Sequence, residues 1–191
     1  MKEQRNPFKK VVVSLSLVLV AGCATDDAYF EPNMDFGSLQ SVAVLPFQNL
    51  TREDFAAERV RDAFATMLIA TGAVYVLPPG EVARGISRIG RFLPEGPSIE
   101  QITQLAGVLD VDAVITGVVT EYGPVRSGAT SANVISVSLR MIEKNTGLVV
   151  WSASTTKGGI TIWDRLVGGG GEPMSTVTVE AVDELLDKLF Q

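Results

Sequence analysis

Asp110-Val111-Asp112-Ala113-Val114-Ile115-Thr116-Gly117-Val118-Val119-Thr120-Glu121-Tyr122 decides how the rest of the chain is read. Val111, Ala113, Val114, Ile115, Val118 and Val119 make it nearly continuous in apolar side chains, the pattern of a buried strand. Upstream, Ser98-Ile99-Glu100-Gln101 is a capping box that opens a helix reaching about Leu109. Downstream, two strands at about 133–143 and 148–156 flank Lys144-Asn145-Thr146-Gly147, a hairpin turn because Asn and Gly accept positive φ. In the first of these strands Val134, Ser136, Ser138 and Arg140 alternate with Ile135, Val137, Leu139 and Met141, so one face is wet and the other buried.

Further out, Ser41-Val42-Ala43-Val44-Leu45-Pro46-Phe47 is a short apolar run ended by Pro, as expected of a buried strand running into a loop. A helix follows from about Asp54 to Thr71, stopped by Gly72, with Phe55, Val60, Phe64, Met67 and Leu68 near a 3.6-residue repeat. Val74 to Leu77 is a second strand, and a short helix from Glu81 to about Ile89 leads into the Gly/Pro-rich link 90–97. The last helix spans about Ser175 to Phe190, with Val179, Val182, Leu185, Leu186 and Leu189 as its stripe. The order βαβααβββα implies one α/β or α+β domain, a mixed sheet with helices packed on it.

The N-terminus is of another kind. Lys2, Arg5, Lys9 and Lys10 precede Val11 to Val20, an uncharged run of about ten residues that is too short to span a bilayer and suits an export signal. It ends in Val20-Ala21-Gly22-Cys23, which resembles the bacterial lipobox, where cleavage after Gly22 leaves Cys23 to be diacylated; the resemblance implies residues 1–22 as signal peptide. The residue after the Cys is Ala24, and in lipoproteins of this kind Asp there implies inner-membrane retention, so the resemblance points to the outer membrane, facing the periplasm. Residues 23–40 lack sustained periodicity and read as lipidated Cys and tether, reaching at most about 60 Å, with Tyr29, Phe30 and Phe36 able to dock on the domain or on a neighbouring subunit, though scattered tether aromatics more often do neither. Residues 41–191 form the globular part.

Charge and composition exclude much. The 191 residues contain no His and one Cys, which removes His-dependent triads, His metal sites, CxxC pairs and any intramolecular disulfide. Cleavage before Cys23 leaves 12 basic against 21 acidic residues, a net charge of −9, without the footprint of a nucleic-acid or anionic-lipid binder. Gly168 to Gly171 has no following Lys-Ser or Lys-Thr, and Glu172-Pro173 would repel phosphate, so it reads as a loop. Asp110 with Asp112, and Glu180, Asp183, Glu184 and Asp187 on the last helix, read as solvated carboxylates, and a Ser or Thr with Lys157 has no further support as a dyad. No enzyme, cofactor or metal is expected, and no polar cluster converges on an evident pocket.

Val42-Ala43-Val44-Leu45-Pro46-Phe47 with Asn49, Ala106-Gly107, Asp112 to Gly117, and Asn145-Thr146-Gly147-Leu148-Val149-Val150-Trp151-Ser152 together resemble the landmarks of one family. It is that of the curli secretion lipoprotein (CsgG-like), related to the lipoprotein activators of penicillin-binding proteins and to the N-terminal domain of the Tol-system periplasmic protein. The resemblance covers residues 41 to about 157 plus the last helix. It implies a non-enzymatic adapter or assembly and secretion accessory factor in envelope biogenesis, meeting envelope proteins or further copies of itself. Two departures matter: the stretches 122–133 and 158–171 are too short for pore-forming hairpins, and the tether is too short to carry the domain through the cell wall.

A module that binds a small molecule or a peptidoglycan fragment in the groove beside the sheet is the alternative, and a secretion-pore subunit a further one. The candidate interfaces are the hairpin from Asn133 to Thr156, through its exposed strand edges, and the loop 158–172, where Ile160, Ile162, Trp163, Leu166 and Val167 are more apolar than a solvated loop should be. The same residues would equally cover the domain's own core.

Overall fold

The computed structural model describes residues 28–89, 97–128, 130–160 and 171–191. Seven strands and four helices follow in the order β1 (Ala28–Phe30), β2 (Ser41–Val44), β3 (Gln48–Asn49), α1 (Ala56–Thr71), β4 (Tyr75–Val76), α2 (Pro79–Ile89), α3 (Ile99–Leu109), β5 (Ala113–Ser127), β6 (Thr130–Glu143), β7 (Val149–Gly158) and α4 (Met174–Leu189). From β2 onward this is the expected order with the small strand β3 added. The sheet runs β1-β7-β6-β5-β2-β4, with β3 also on β5.

Parallel and antiparallel halves meet at β5. Strand β2 is parallel to β5 in the register Val42 to Ala113, Ala43 to Val114 and Val44 to Ile115. On its other side β5 pairs antiparallel with β6, and β6 with β7. Adjacent residues of β2 and β5 point to opposite faces, which divides the core in two. Val42, Val44, Ala113 and Ile115 join α1 and α4 on one face, while Ala43, Leu45 and Val114 join α2 and α3 on the other. Trp151, Phe64, Leu45, Ile115 and Leu139 are the largest side chains fully enclosed.

Local chemistry accounts for most boundaries. Gly72 stops α1 in the left-handed region at φ 64°. Ser98 accepts from the Gln101 N–H while the Gln101 side chain accepts from the Ser98 N–H, the expected capping box. Four residue steps from Val44 to Gln48 match three from Ile115 to Val118, and Pro46, which has no N–H to give a neighbour, sits in that extra length. Across from it, a Cβ on Gly117 would stand 2.5 Å from Leu139 Cδ2 and 2.9 Å from Phe47 Cδ1, so only glycine lets Phe47 lie on the strand.

Three expectations are corrected. Residues 122–127 and 130–133 continue β5 and β6 as the arms of a hairpin, followed on the β5 side by Gly128 at φ 62°, rather than forming a loop. Gly123 and Pro124 are tolerated within the strand because β5 beyond Val119 has a neighbour strand on one side only. Residues 28–40 are laid on the domain rather than left as tether: β1 pairs with Trp151, Ser152 and Ala153 of β7, Phe30 meets Phe36 edge-on at 5.6 Å between ring centres, and Phe30, Met34, Phe36 and Leu39 pack against the core. Two members of the expected helix stripes, Phe55 and Val179, are exposed. Phe55 stands outside α1, and the buried face of α4 runs through Val177, Ala181, Val182, Leu185 and Leu189.

Helix α4 is tied to the edge of the sheet by charge as well as by apolar contact. Glu184 accepts from Lys188 Nζ at 2.8 Å and from Thr155 Oγ1 at 2.9 Å, and it pairs with Lys157. Lys188 also donates to the Ser154 carbonyl at 2.9 Å, and its own carbonyl accepts from Trp151 Nε1 at 3.2 Å. Partial burial alone would raise the Glu184 carboxyl, but the hydrogen bonds from Lys157, Lys188 and Thr155 outweigh it and lower the pKa from 4.5 to about 2. A lowered folded-state value means stabilisation that is complete above about pH 4.5 and lost as pH falls toward about 2. Glu184→Gln is therefore expected to cost about 1–2 kcal/mol at neutral pH, after allowance for solvent screening. Thermal unfolding of both proteins from pH 7 to pH 2 checks this: the gap should close across that acid range, and a gap independent of pH would refute it.

Candidate functional site

Two carboxylates that stood out in the sequence are consumed by the fold. Asp112 Oδ2 accepts from the backbone N–H of Gln40, the N–H of Ser41 and Ser41 Oγ, each at 2.9 Å. Burial opposes its charge, yet these bonds and the nearby Lys144 ammonium hold its carboxyl below the ordinary range. It clamps the start of β2 to the start of β5. Glu143, 7% exposed, faces the turn and accepts at 2.8 Å from the N–H groups and side chains of both Asn145 and Thr146. Burial pushes its carboxyl up and the four bonds pull it further down, so the turn is capped by an ionised group. Gly147 completes that turn at φ 68°.

Lys157 is equally committed. Its hydrogen bond to Glu184 raises its pKa against the opposing effect of burial, which keeps it protonated and unfit to serve as the base of a Ser-Lys dyad. Of the acids on α4, Glu184 is the one drawn into this network, while Glu180, Asp183 and Asp187 stand exposed. Among the described residues no three His, Cys, Asp or Glu side chains are grouped to hold a metal.

A site of another kind lies on the α2/α3 face of the sheet. These two helices cover the end near Ala43, Leu45 and Val114 and leave the middle of β5 and β6 open. There Gln48, Thr116, Val118, Ser138 and Arg140 line a groove of about 410 Å³, walled by Ile99 and Ile102 of α3 and by Val149. Alternation places these residues on one side: Thr116 and Val118 of β5 face the groove while Ile115 and Val119 are buried opposite, and Ser138 and Arg140 of β6 do so while Val137, Leu139 and Met141 are buried. The Thr116 to Arg140 and Val118 to Ser138 pairings set them side by side. Arg140 and Ser138 are exposed, Gln48 and Thr116 half-buried. The sequence marked Ser138 and Arg140 as the wet face of their strand but saw no converging pocket. Gln48 escaped notice because its place depends on the extra residue at Pro46.

Of the candidate interface residues, Ile160 is half-buried, and Ile162, Trp163, Leu166 and Val167 lie outside the described residues. Gly22 and Cys23 lie outside them too. Among the described residues no helix is long and apolar enough to cross a membrane.

The fold has been seen before. The chain is similar to the PelC dodecamer of Paraburkholderia phytofirmans, at 21% identity over 84% of this chain and 95% of that one, with a TM-score of 0.56. It is also similar to lipoprotein GNA1162 of Neisseria meningitidis, at 19% identity over 79% of this chain and 98% of that one, with a TM-score of 0.58. Identities this low establish a common fold. No curated protein matches. The family model for the peptidoglycan-synthase activator LpoB matches residues 19–156. The expected relationship is thereby corrected: the match is to an activator family, which the sequence reading had named as a relation, and not to the curli secretion family. This chain belongs to the family of peptidoglycan-synthase activators, an accessory role in building the cell envelope.

Proposed function

We propose that the protein is a lipid-anchored, non-enzymatic activator that stands on the periplasmic side of the outer membrane and engages a peptidoglycan synthase through its folded domain. The observation that carries this reading is the extent of the family match: residues 19–156 take in both Val20-Ala21-Gly22-Cys23 and the sheet from β1 to Thr156 of β7. Acylation of Cys23 supplies stable attachment, since several acyl chains hold where one binds marginally. Ala24 directs the protein outward, and the mature charge of −9 adds no attraction to anionic head groups.

The anchor is close. Ala28 is already paired with Ala153, so the five residue steps from Cys23 allow at most about 18 Å between lipidated residue and sheet. An activator on so short a leash does not cross the cell wall to its enzyme. The synthase must extend to it, and the contact is made near the outer membrane. Ile160, Ile162, Trp163 and Leu166 remain the candidate contact residues, because the sequence from 158 to 172 is more apolar than a solvated loop should be.

Self-assembly is a second reading, favoured by the likeness to a structure described as a dodecamer. Strands β1 and β4 are short, three and two residues, but β5 beyond Val119 has a neighbour on one side only and so leaves an open edge at which copies would meet.

Three experiments bear on these readings. Cys23→Ala should abolish fatty-acid labelling and move the protein from the outer-membrane fraction to the soluble periplasm; a variant still tightly membrane-bound would refute the anchor. The purified full mature chain, soluble as Cys23→Ala, should raise several-fold the glycan polymerisation rate of a synthase from the same cells, and an unchanged rate would refute the activator role. Cross-linking in intact cells should yield adducts with that synthase, and a ladder of self-adducts if the chain also assembles with itself; monomers alone would remove both contacts.

A further inference from the structure

The groove on the open sheet face is unlike the other polar clusters of this protein. Asp112, Glu143 and Glu184 each receive three or more hydrogen bonds or ion pairs from neighbouring groups. By contrast, the side chains of Gln48, Thr116, Ser138 and Arg140 converge on one concavity of about 410 Å³ and have no hydrogen bond or ion pair among the described residues. Polar groups that the fold has already satisfied have little to offer a ligand, whereas these four would exchange only water for one.

Their chemistry specifies the occupant. The guanidinium gives a planar fork of N–H donors, the Gln48 amide two more, and the two hydroxyls one each, so the set is rich in donors and suits an acceptor. Among the described residues that line the groove, Arg140 is the one that carries charge, so they offer a partner for one negative charge. A polyanion would meet the repulsion of a domain carrying −9 overall, with Arg140 to offset it. Beside the donors, Ile99, Ile102, Val118 and Val149 form an apolar wall that a small aliphatic side chain can fill. We infer that this groove binds a peptide carrying one carboxylate next to a small apolar side chain, with Arg140 as the carboxylate partner. The inference stands apart from the activator reading, since a groove that binds such a peptide could serve a synthase activator or a passive adapter alike.

The test is a titration of the isotope-labelled full mature chain, soluble as Cys23→Ala, followed by backbone amide resonances. The probes are N-acetyl-alanyl-alanine with a free C-terminal carboxylate and the same dipeptide as its C-terminal amide. The acid should shift the amides of Thr116, Gly117, Ser138 and Arg140 saturably, and the amide form should bind about tenfold or more weakly, the loss expected of one charge-assisted pair. Arg140→Gln should lose the same factor while its unfolding temperature holds, because the exposed guanidinium has no partner among the described residues. Arg140→Lys, which keeps the charge without the fork, should fall between. Equal binding of acid and amide, wild-type affinity in Arg140→Gln, or shifts elsewhere on the sheet would each overturn the proposal. Inorganic phosphate displacing the acid at a lower concentration than the acid itself requires would overturn it in favour of a phosphate site.

Discussion

Val42 stands opposite Ala113, and the rest of the molecule depends on that parallel pairing. It joins two strands that are apolar on both faces, so each face needs a cover, and the four helices divide two and two to supply it. Asp112 sets the register from one side by taking three hydrogen bonds from Gln40 and Ser41. Gly117 sets it from the other by admitting Phe47 where any Cβ would collide. A slip of one residue would turn every one of these side chains to the wrong layer.

The same constraint creates the open groove. Helices α2 and α3 are eleven residues each, long enough to cover one end of their face, while α1 and α4, at sixteen residues each, cover theirs more fully. What α2 and α3 leave uncovered is the antiparallel part of the sheet, where one side of each strand can remain in water. Thr116, Ser138 and Arg140 occupy that uncovered side. The proposed anchoring and the proposed binding draw on different parts of the protein: β1, which follows the lipid motif in the sequence, lies along the β7 edge, and the groove lies further in, on the face of β6 and β5 away from α1 and α4.

Charge has two distinct uses here. The exposed acids of α1 and α4 give a solvated surface, as their spacing implied, whereas Glu143 and Glu184 are structural groups held ionised by their donors. Nothing in the spacing of Glu180, Asp183, Glu184 and Asp187 distinguishes the third from the others. Lys157 and Thr155 of β7 make the difference, and they come from nearly thirty residues away.

The sequence by itself determined the element order, the mixed sheet, the capping box at Ser98 and the turn at Gly147, because each depends on side chains within a few residues of one another. It also determined, through alternation, that Ser138 and Arg140 face outward. Three features were decided in the tertiary structure. Residues 28–40 join the sheet because the edge of β7 offers unpaired backbone groups to Ala28, Tyr29 and Phe30, which no local pattern records. Gly123 and Pro124 stay within a strand because that length of β5 lacks a second neighbour. The groove exists because Gln48 of β3, Thr116 of β5, Arg140 of β6 and Ile99 of α3 are brought together by strand register and helix length, quantities set by packing between elements rather than by any stretch of chain alone.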